Sequence, residues 1–205
     1  MSEDRNEWER LLEENPGHSQ WYIQRFRDLA AAGEDIVGEA RLIDAMAPRA
    51  ARILDAGCGP GRLGGYLHAM GHRVVGVDFD PVLIAAAQQD HPGPTWLVRD
   101  LATLDLLSPS DSEGTQGFDV IVCAGNVMTF LAPSTRRRVL GRLRDHLAPA
   151  GRAVVGFGTG RGYGFAEFLD DAGAVGLTPD VLMSTWDLRP FTDTSDFLVA
   201  VLRRR

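Results

Sequence analysis

Residues 53–67 read ILDAGCGPGRLGGYL. An apolar run ends in an acid, Asp55. Glycines then alternate at 57, 59 and 61, and a helix pattern rich in small residues follows. A strand that ends in glycines and opens a helix offers backbone N–H groups and a positive helix end to a ligand. Glycine supplies the φ values such a turn requires and removes the Cβ atoms that hold a ligand off. A second apolar stretch, VVGVDFD (74–80), ends in Asp78. That acid lies about 20 residues beyond Gly57, the spacing at which a carboxylate reaches a ribose diol in a nucleotide-binding βαβ unit. A helix N-cap acid with glycines for tight packing is the plainer alternative, and the two features in register favour the nucleotide.

Outward from this unit, short apolar runs alternate with helical patterns. Strands are predicted at 51–55, 73–78, 95–98, 118–123 and 152–157, with helices at 62–70, 81–90 and 134–147. Such alternation builds a parallel sheet covered on both faces by right-handed crossovers. A helix near 166–174 then leads to β-like stretches at 180–188 and 197–202, separated only by RPFTDTSD. That link is too short for a helical crossover, so one of the two must pair antiparallel. The polar stretch SPSDSEGTQ (108–116) reads as a surface excursion. Before residue 47 the pattern is helical: Trp8, Leu11 and Leu12 share one face, and Tyr22, Phe26 and Leu29 another. Gly33 suits a C-cap, and a third helix is expected from Asp35 to Met46. The expected organisation is one domain over 1–205, with helices in 1–47 and a core in 48–205.

Composition is that of an ordinary globule, 44% apolar and 24% charged over 205 residues. No apolar run reaches the roughly 18 residues of a membrane span. The acidic opening MSEDRNEWER lacks the plan of a secretory signal, so a cytoplasmic location is expected. A net charge of −7 disfavours a nucleic-acid partner. All 21 basic residues are arginine, which excludes a lysine-bearing phosphate loop and Schiff-base chemistry. Cys58 and Cys123 are too few and too far apart for a zinc site, and no metal is expected.

Gly59-Pro60-Gly61-Arg62-Leu63-Gly64 formally matches the dinucleotide fingerprint, so an NAD(P)-dependent oxidoreductase has to be weighed. Asp55 opposes it, because a carboxylate at the mouth of the turn repels a pyrophosphate and favours a cationic ligand. A third strand also ends in an acid, Asp100 in WLVRDLATLDL, placed to accept a hydrogen bond from the amine of adenine. Three acids on three strand ends suit a ligand carrying ammonium, ribose and adenine without phosphate.

These segments, with FDVIVCAGNVMTFL (118–131), resemble the consecutive motifs of class I S-adenosylmethionine-dependent methyltransferases over roughly residues 51–160. The resemblance implies a doubly wound, mostly parallel α/β sheet of seven strands in the order 3-2-1-4-5-7-6, the last strand antiparallel, with a helical lid. It also implies S-adenosylmethionine as cofactor. By resemblance Asp55, Ala56, Gly57, Cys58, Gly59, Pro60 and Gly61 border the methionine part, and Asp78 holds the ribose. Phe79 flanks the adenine, Asp100 and Leu101 read its edge, and Cys123, Ala124 and Gly125 lie beneath the sulfonium. Tyr22, Arg25 and Arg41 are candidates to fold over the cofactor and pair with its carboxylate; the alternative is that the N-terminal aromatic residues only dock their helix on the sheet.

No catalytic base nominates itself. His68, His72, His91 and His146 fall in helices or at the far edge of the sheet, and His18 alone lies in the lid. Methyl transfer needs a base only for a protonated acceptor. Asn126-Val-Met-Thr departs from the Asn/Asp-Pro-Pro-aromatic motif of amide and base methylases, which disfavours those acceptors. The expected acceptor is a small molecule, held by Asn126, Phe130, Tyr163 of GFGTGRGYGF (156–165) and Trp186; a flexible surface loop is the alternative for the glycine-rich stretch. A non-catalytic S-adenosylmethionine-binding subunit is a further alternative.

Overall fold

A computed structural model describes residues 4–106 and 117–205. The polar stretch 108–116 lies outside the described residues. The elements are α1 (Glu7–Glu14), α2 (His18–Ala31), α3 (Gly38–Met46), β1 (Arg52–Ala56), α4 (Arg62–Ala69), β2 (Arg73–Asp78), α5 (Pro81–Asp90) and β3 (Thr95–Val98). They continue as β4 (Phe118–Cys123), α6 (Val127–Phe130), α7 (Arg136–His146), β5 (Leu147–Gly158), α8 (Phe165–Ala174), β6 (Leu177–Met183) and β7 (Phe197–Arg204). One seven-stranded sheet runs β3-β2-β1-β4-β5-β7-β6. The pairs among β1 to β5 are parallel, and β7 runs antiparallel to both β5 and β6.

Alternation along the strands divides the core. Leu54, Ile121, Cys123, Val155 and Phe157 face one side with Leu140 and Leu143 of α7 and Phe168 of α8. Ile53, Val120, Val122 and Val154 face the other with Ile43 of α3 and Leu67 of α4. Period-2 side-chain direction produces this split from near-continuous apolar runs, the mark of a sheet buried on both faces. Local signals place the helices. Asn6 caps α1, its Oδ1 accepting from Trp8 N–H at 2.9 Å. Asp80 caps α5 ahead of Pro81, accepting from Val82 N–H at 2.8 Å. Gly33 at φ +76° closes α2, with Glu34 N–H bonded to Leu29 C=O.

Three elements move a boundary by three residues or more. α3 starts at Gly38 rather than Asp35, because Asp35 bonds the Val37 N–H and the Arg41 guanidinium. It also packs on α4 through fully buried Ala40 and Ile43, so it belongs to the sheet's flank. β6 spans Leu177–Met183 in place of 180–188, since pairing with β7 fixes Met183 opposite Val199 and the chain then turns, Ser184 N–H bonding Arg189 C=O. β5 begins five residues early, with Leu147 paired to Phe118.

Candidate active site

At the C-terminal edge of the sheet, where ligands bind in doubly wound folds, a cavity opens to solvent. β1 delivers Asp55 to it and β2 delivers Asp78. Asp100, N-cap of a single 3₁₀ turn at Leu101–Thr103, delivers the third acid. Phe79, Leu101, Ala124, Gly125 and Phe130 also line it.

The glycine turn works differently from its sequence expectation. Gly57 and Cys58 donate their N–H groups to Val77 C=O, and Gly61 donates to Cys58 C=O. Gly59 N–H donates to Asp78 Oδ2 and Gly64 N–H to Asp55 Oδ2, each at 3.0 Å. The amides expected to be bare for a ligand are therefore engaged. Nor do most of the glycines clear space for one. A Cβ on Gly61, Gly64 or Gly76 would fall within 2.9 Å of the Trp96 ring, and one on Gly57 within 2.5 Å of Val127. Gly59 instead leaves room toward the cavity, with Tyr22 at 3.7 Å from its would-be Cβ.

The turn thus holds two carboxylates by backbone amides, with no arginine paired to either among the described residues. Burial pushes Asp55 up to about 7, opposed by the Gly64 N–H and by the charge of Arg62. Burial likewise pushes Asp78 up to about 6, opposed by the amides of Asp80 and Gly59. Asp100 is exposed and accepts from Ala102 N–H at 2.8 Å. A buried acid and a half-buried one, neither paired with a cation, fit a ligand that brings positive charge or hydroxyl donors. They do not fit a pyrophosphate, whose usual amide donors are already taken.

The opposite wall comes from the N-terminal helices. Trp8 stands edge-on to Tyr22 at 5.2 Å and to Phe130 at 5.7 Å between ring centroids, and Tyr22 meets Phe26 at 5.0 Å. The Trp8 indole N–H and the Ser19 hydroxyl both donate to Asp80 Oδ2, at 2.9 and 2.5 Å. Two arginines line the cavity, the exposed Arg99 just beyond β3 and Arg62 on the first turn of α4. Arg62 makes a bidentate pair with Glu39 at 2.7 and 2.9 Å, bonds Ile36 C=O, and lies 5.1 Å over the Phe26 ring.

Of the sequence candidates, Tyr22, Asp55, Gly57, Cys58, Gly59, Pro60, Asp78, Phe79, Asp100, Leu101, Ala124, Gly125 and Phe130 line this cavity. The others lie elsewhere. Arg41 pairs with Asp35 at the surface, and Arg25 is exposed beside Trp21 on the outer side of α2. Ala56 is fully buried in the sheet, and Gly61 is filled by Trp96 and Ala87. Cys123 turns into the core with Met128, where burial pushes its thiol up to about 12. Asn126, at φ +67°, ties β4 to β5 by accepting from Gly158 N–H at 2.9 Å. Tyr163 is buried, donating to Asp171 at 2.8 Å beneath the Arg136 guanidinium. Trp186 packs its ring on Gly156. Trp8, Arg62 and Arg99 line the cavity and were missed, and Asp80, outside the lining, was missed as the residue that holds Trp8. The signal for Arg62 was its place inside the glycine motif, and for Asp80 the second acid of VDFD.

A family model described as a methyltransferase domain matches residues 53–151. No curated protein matches the chain. The crystal structure of a TehB-like SAM-dependent methyltransferase from Corynebacterium glutamicum is 54% identical, with a TM-score of 0.86, covering 93% of this chain and 100% of that one. The CcbJ methyltransferase from Streptomyces caelestis shares the fold at 20% identity and a TM-score of 0.70, covering 82% of this chain and 89% of its own. An S-adenosylmethionine-dependent methyltransferase from Clostridium acetobutylicum does so at 11% identity and a TM-score of 0.76, covering 90% and 98% respectively.

Proposed function

This chain belongs to the S-adenosylmethionine-dependent methyltransferases and uses their cofactor, and on that premise we propose that the cavity between α1–α2 and the ends of β1, β2 and β4 is where a small-molecule acceptor is methylated. The observation that carries the site is the pair of strand-end carboxylates, Asp55 buried and Asp78 half-buried, held by amides and with no arginine paired to either among the described residues.

In this reading Asp78 accepts from the ribose hydroxyls. Asp100 and Leu101 border the adenine edge, with Phe79 against its face. Asp55 favours the positive end of the amino-acid part. Arg62 takes the carboxylate in place of Arg25 and Arg41, since it lines the cavity, as they do not, and its charge acts on Asp55. When bound, the cofactor supplies a methyl group already activated by its sulfonium leaving group. What remains for the protein is to align the acceptor in line and exclude water. The aromatic wall of Trp8, Tyr22 and Phe130 suits both tasks. An acceptor whose nucleophile is unprotonated in solution needs no base here.

A cytoplasmic location goes with this reading, supported by two buried free thiols. No helix among the described residues is long and apolar enough to cross a membrane. A methylation screen over a small-molecule library, with labelled S-adenosylmethionine, tests the proposal. Turnover of at least one acceptor, abolished by loss of Asp78, is expected. Tight cofactor binding with no methylated product across the library would favour a non-catalytic subunit.

A further inference from the structure

We propose that Asp80 is a positioning residue that couples the seating of α1 and α2 to cofactor binding at Asp78; this rests on the reading of Asp78 as the ribose-holding acid. Asp80 is 2% exposed and sits two residues beyond Asp78. Capping α5 requires one acceptor oxygen, and Oδ1 meets that need at Val82 N–H. Oδ2 instead faces two donors far away in sequence, the Trp8 indole on α1 and the Ser19 hydroxyl on α2. The backbone N–H of Asp80 donates to Asp78 Oδ1 at 3.0 Å. One residue therefore holds the N-terminal helices with its side chain and the site acid with its main chain.

The rest of the contact between α2 and α5 follows the same plan. At the far end of α5, Asp90 receives a bidentate pair from Arg27 at 2.8 and 2.9 Å. That second clasp is half exposed and contributes little. The Asp80 clasp is buried, with Ser19 2% and Trp8 7% exposed. Lifting α1–α2 withdraws both donors from a buried carboxylate, which must then find other partners or water. The Asp80 peptide that orients Asp78 shifts with it. Because coupling between two sites is reciprocal, a ligand seated on Asp78 in turn holds the helices down.

Ser19 and Asp80 make the clean test, because neither lines the cavity. Asp80→Asn keeps an oxygen for Val82 N–H while setting an amide NH2 against the two donors. Ser19→Ala removes one donor and leaves the indole. Calorimetric titration of the full-length protein with S-adenosylhomocysteine should show affinity falling by roughly tenfold or more in Asp80→Asn, and severalfold in Ser19→Ala. The double variant should be no weaker than Asp80→Asn alone, since both changes break one clasp. Trypsin should cut faster at Arg10, Arg25 and Arg27 in both, and S-adenosylhomocysteine should protect these sites less than in the parent. If Asp80→Asn does not fold, Ser19→Ala carries the test by itself. Affinity within twofold of the parent, with or without faster cutting, would overturn the coupling and leave Asp80 a helix cap. Asp78→Ala run in parallel separates the two claims. Unchanged affinity there removes the ribose reading itself, whereas a loss there with none in the clasp variants removes only the coupling.

Discussion

Two glycine-rich turns follow parallel strands at the same edge of the sheet, one after β1 at residues 57–65 and one at the end of β5 at residues 156–164. Both place glycines at positive φ, at 57, 59 and 61 in the first and at 160 and 162 in the second. Both seat an aromatic ring against a glycine, the buried Trp96 on Gly61 and Gly64 and the half-buried Trp186 on Gly156. They differ in how their acids are neutralised. Beside the second turn, Asp171 receives the Tyr163 hydroxyl and the Arg137 guanidinium, and Arg136 covers Tyr163 while bonding Gly162 C=O. Beside the first, Asp55 and Asp78 receive backbone amides, and burial raises both. Close packing therefore accounts for Gly57, Gly61 and Gly64 in the first place and for Gly156 in the second, whereas a Cβ on Gly160, Gly162 or Gly164 would meet nothing within 4 Å. The buried acid without a counter-ion is what distinguishes a ligand site from a packed corner.

The largest expected effect concerns packing. Trp96→Ala should destabilise the protein by about 3–5 kcal/mol, as for a buried aromatic residue cut to alanine, measured by denaturant unfolding. A loss below about 1 kcal/mol would mean that the glycines of the first turn are not kept clear for this ring. Next comes Asp78→Ala, which should weaken S-adenosylhomocysteine binding by roughly tenfold to several hundredfold while the protein still folds, given hydrogen bonds to a charged acceptor worth about 1.5–3 kcal/mol each. Tyr163→Phe should do the reverse. It removes one bond to Asp171 and costs about 1–3 kcal/mol of stability, yet leaves S-adenosylhomocysteine affinity unchanged. If Tyr163→Phe weakened binding as Asp78→Ala does, the two turns would be equivalent and the contrast would fail. The smallest effect belongs to Arg41→Ala, which should leave that affinity within twofold of the parent, whereas Arg62→Gln should lower it.

The sheet was readable because strands buried on both faces are short apolar runs, and 73–78, 95–98 and 118–123 come out with the expected bounds. The placement of the three acids at the open edge of the sheet was readable because each lies within two residues of a strand's C-terminal end. Helix faces were harder to read. Tyr22 and Phe26 are four residues apart and turn inward together; Arg25 lies on the same helix but its side chain stays outside the cavity. Nothing in the local pattern shows which arginine of the N-terminal half finds a carboxylate first, and Asp35 captures Arg41. Tyr163 and Trp186 misled for a related reason. An aromatic residue near this edge of the sheet can face a ligand or pack inward, and its partner, Asp171 for Tyr163 and Gly156 for Trp186, decides it.

The central claim, that the two unneutralised strand-end acids form the ligand site, is tested most directly by the pH dependence of S-adenosylhomocysteine binding between pH 5 and 8. The raised carboxyls, about 7 for Asp55 and about 6 for Asp78, keep protons in the free protein that an unfolded chain would have lost. Their contribution to the stability of the free protein is therefore greatest at low pH and is lost as pH rises through those values. A ligand bringing an ammonium group and hydroxyl donors favours the ionised carboxylates and expels those protons. Calorimetry should show affinity rising from pH 5 to about 7 and levelling above it, with proton release on the rising limb. In Asp55→Asn the rise should shrink, and at pH 8 the free variant should melt higher than the parent. Affinity independent of pH across this range, with no proton released, would contradict the account.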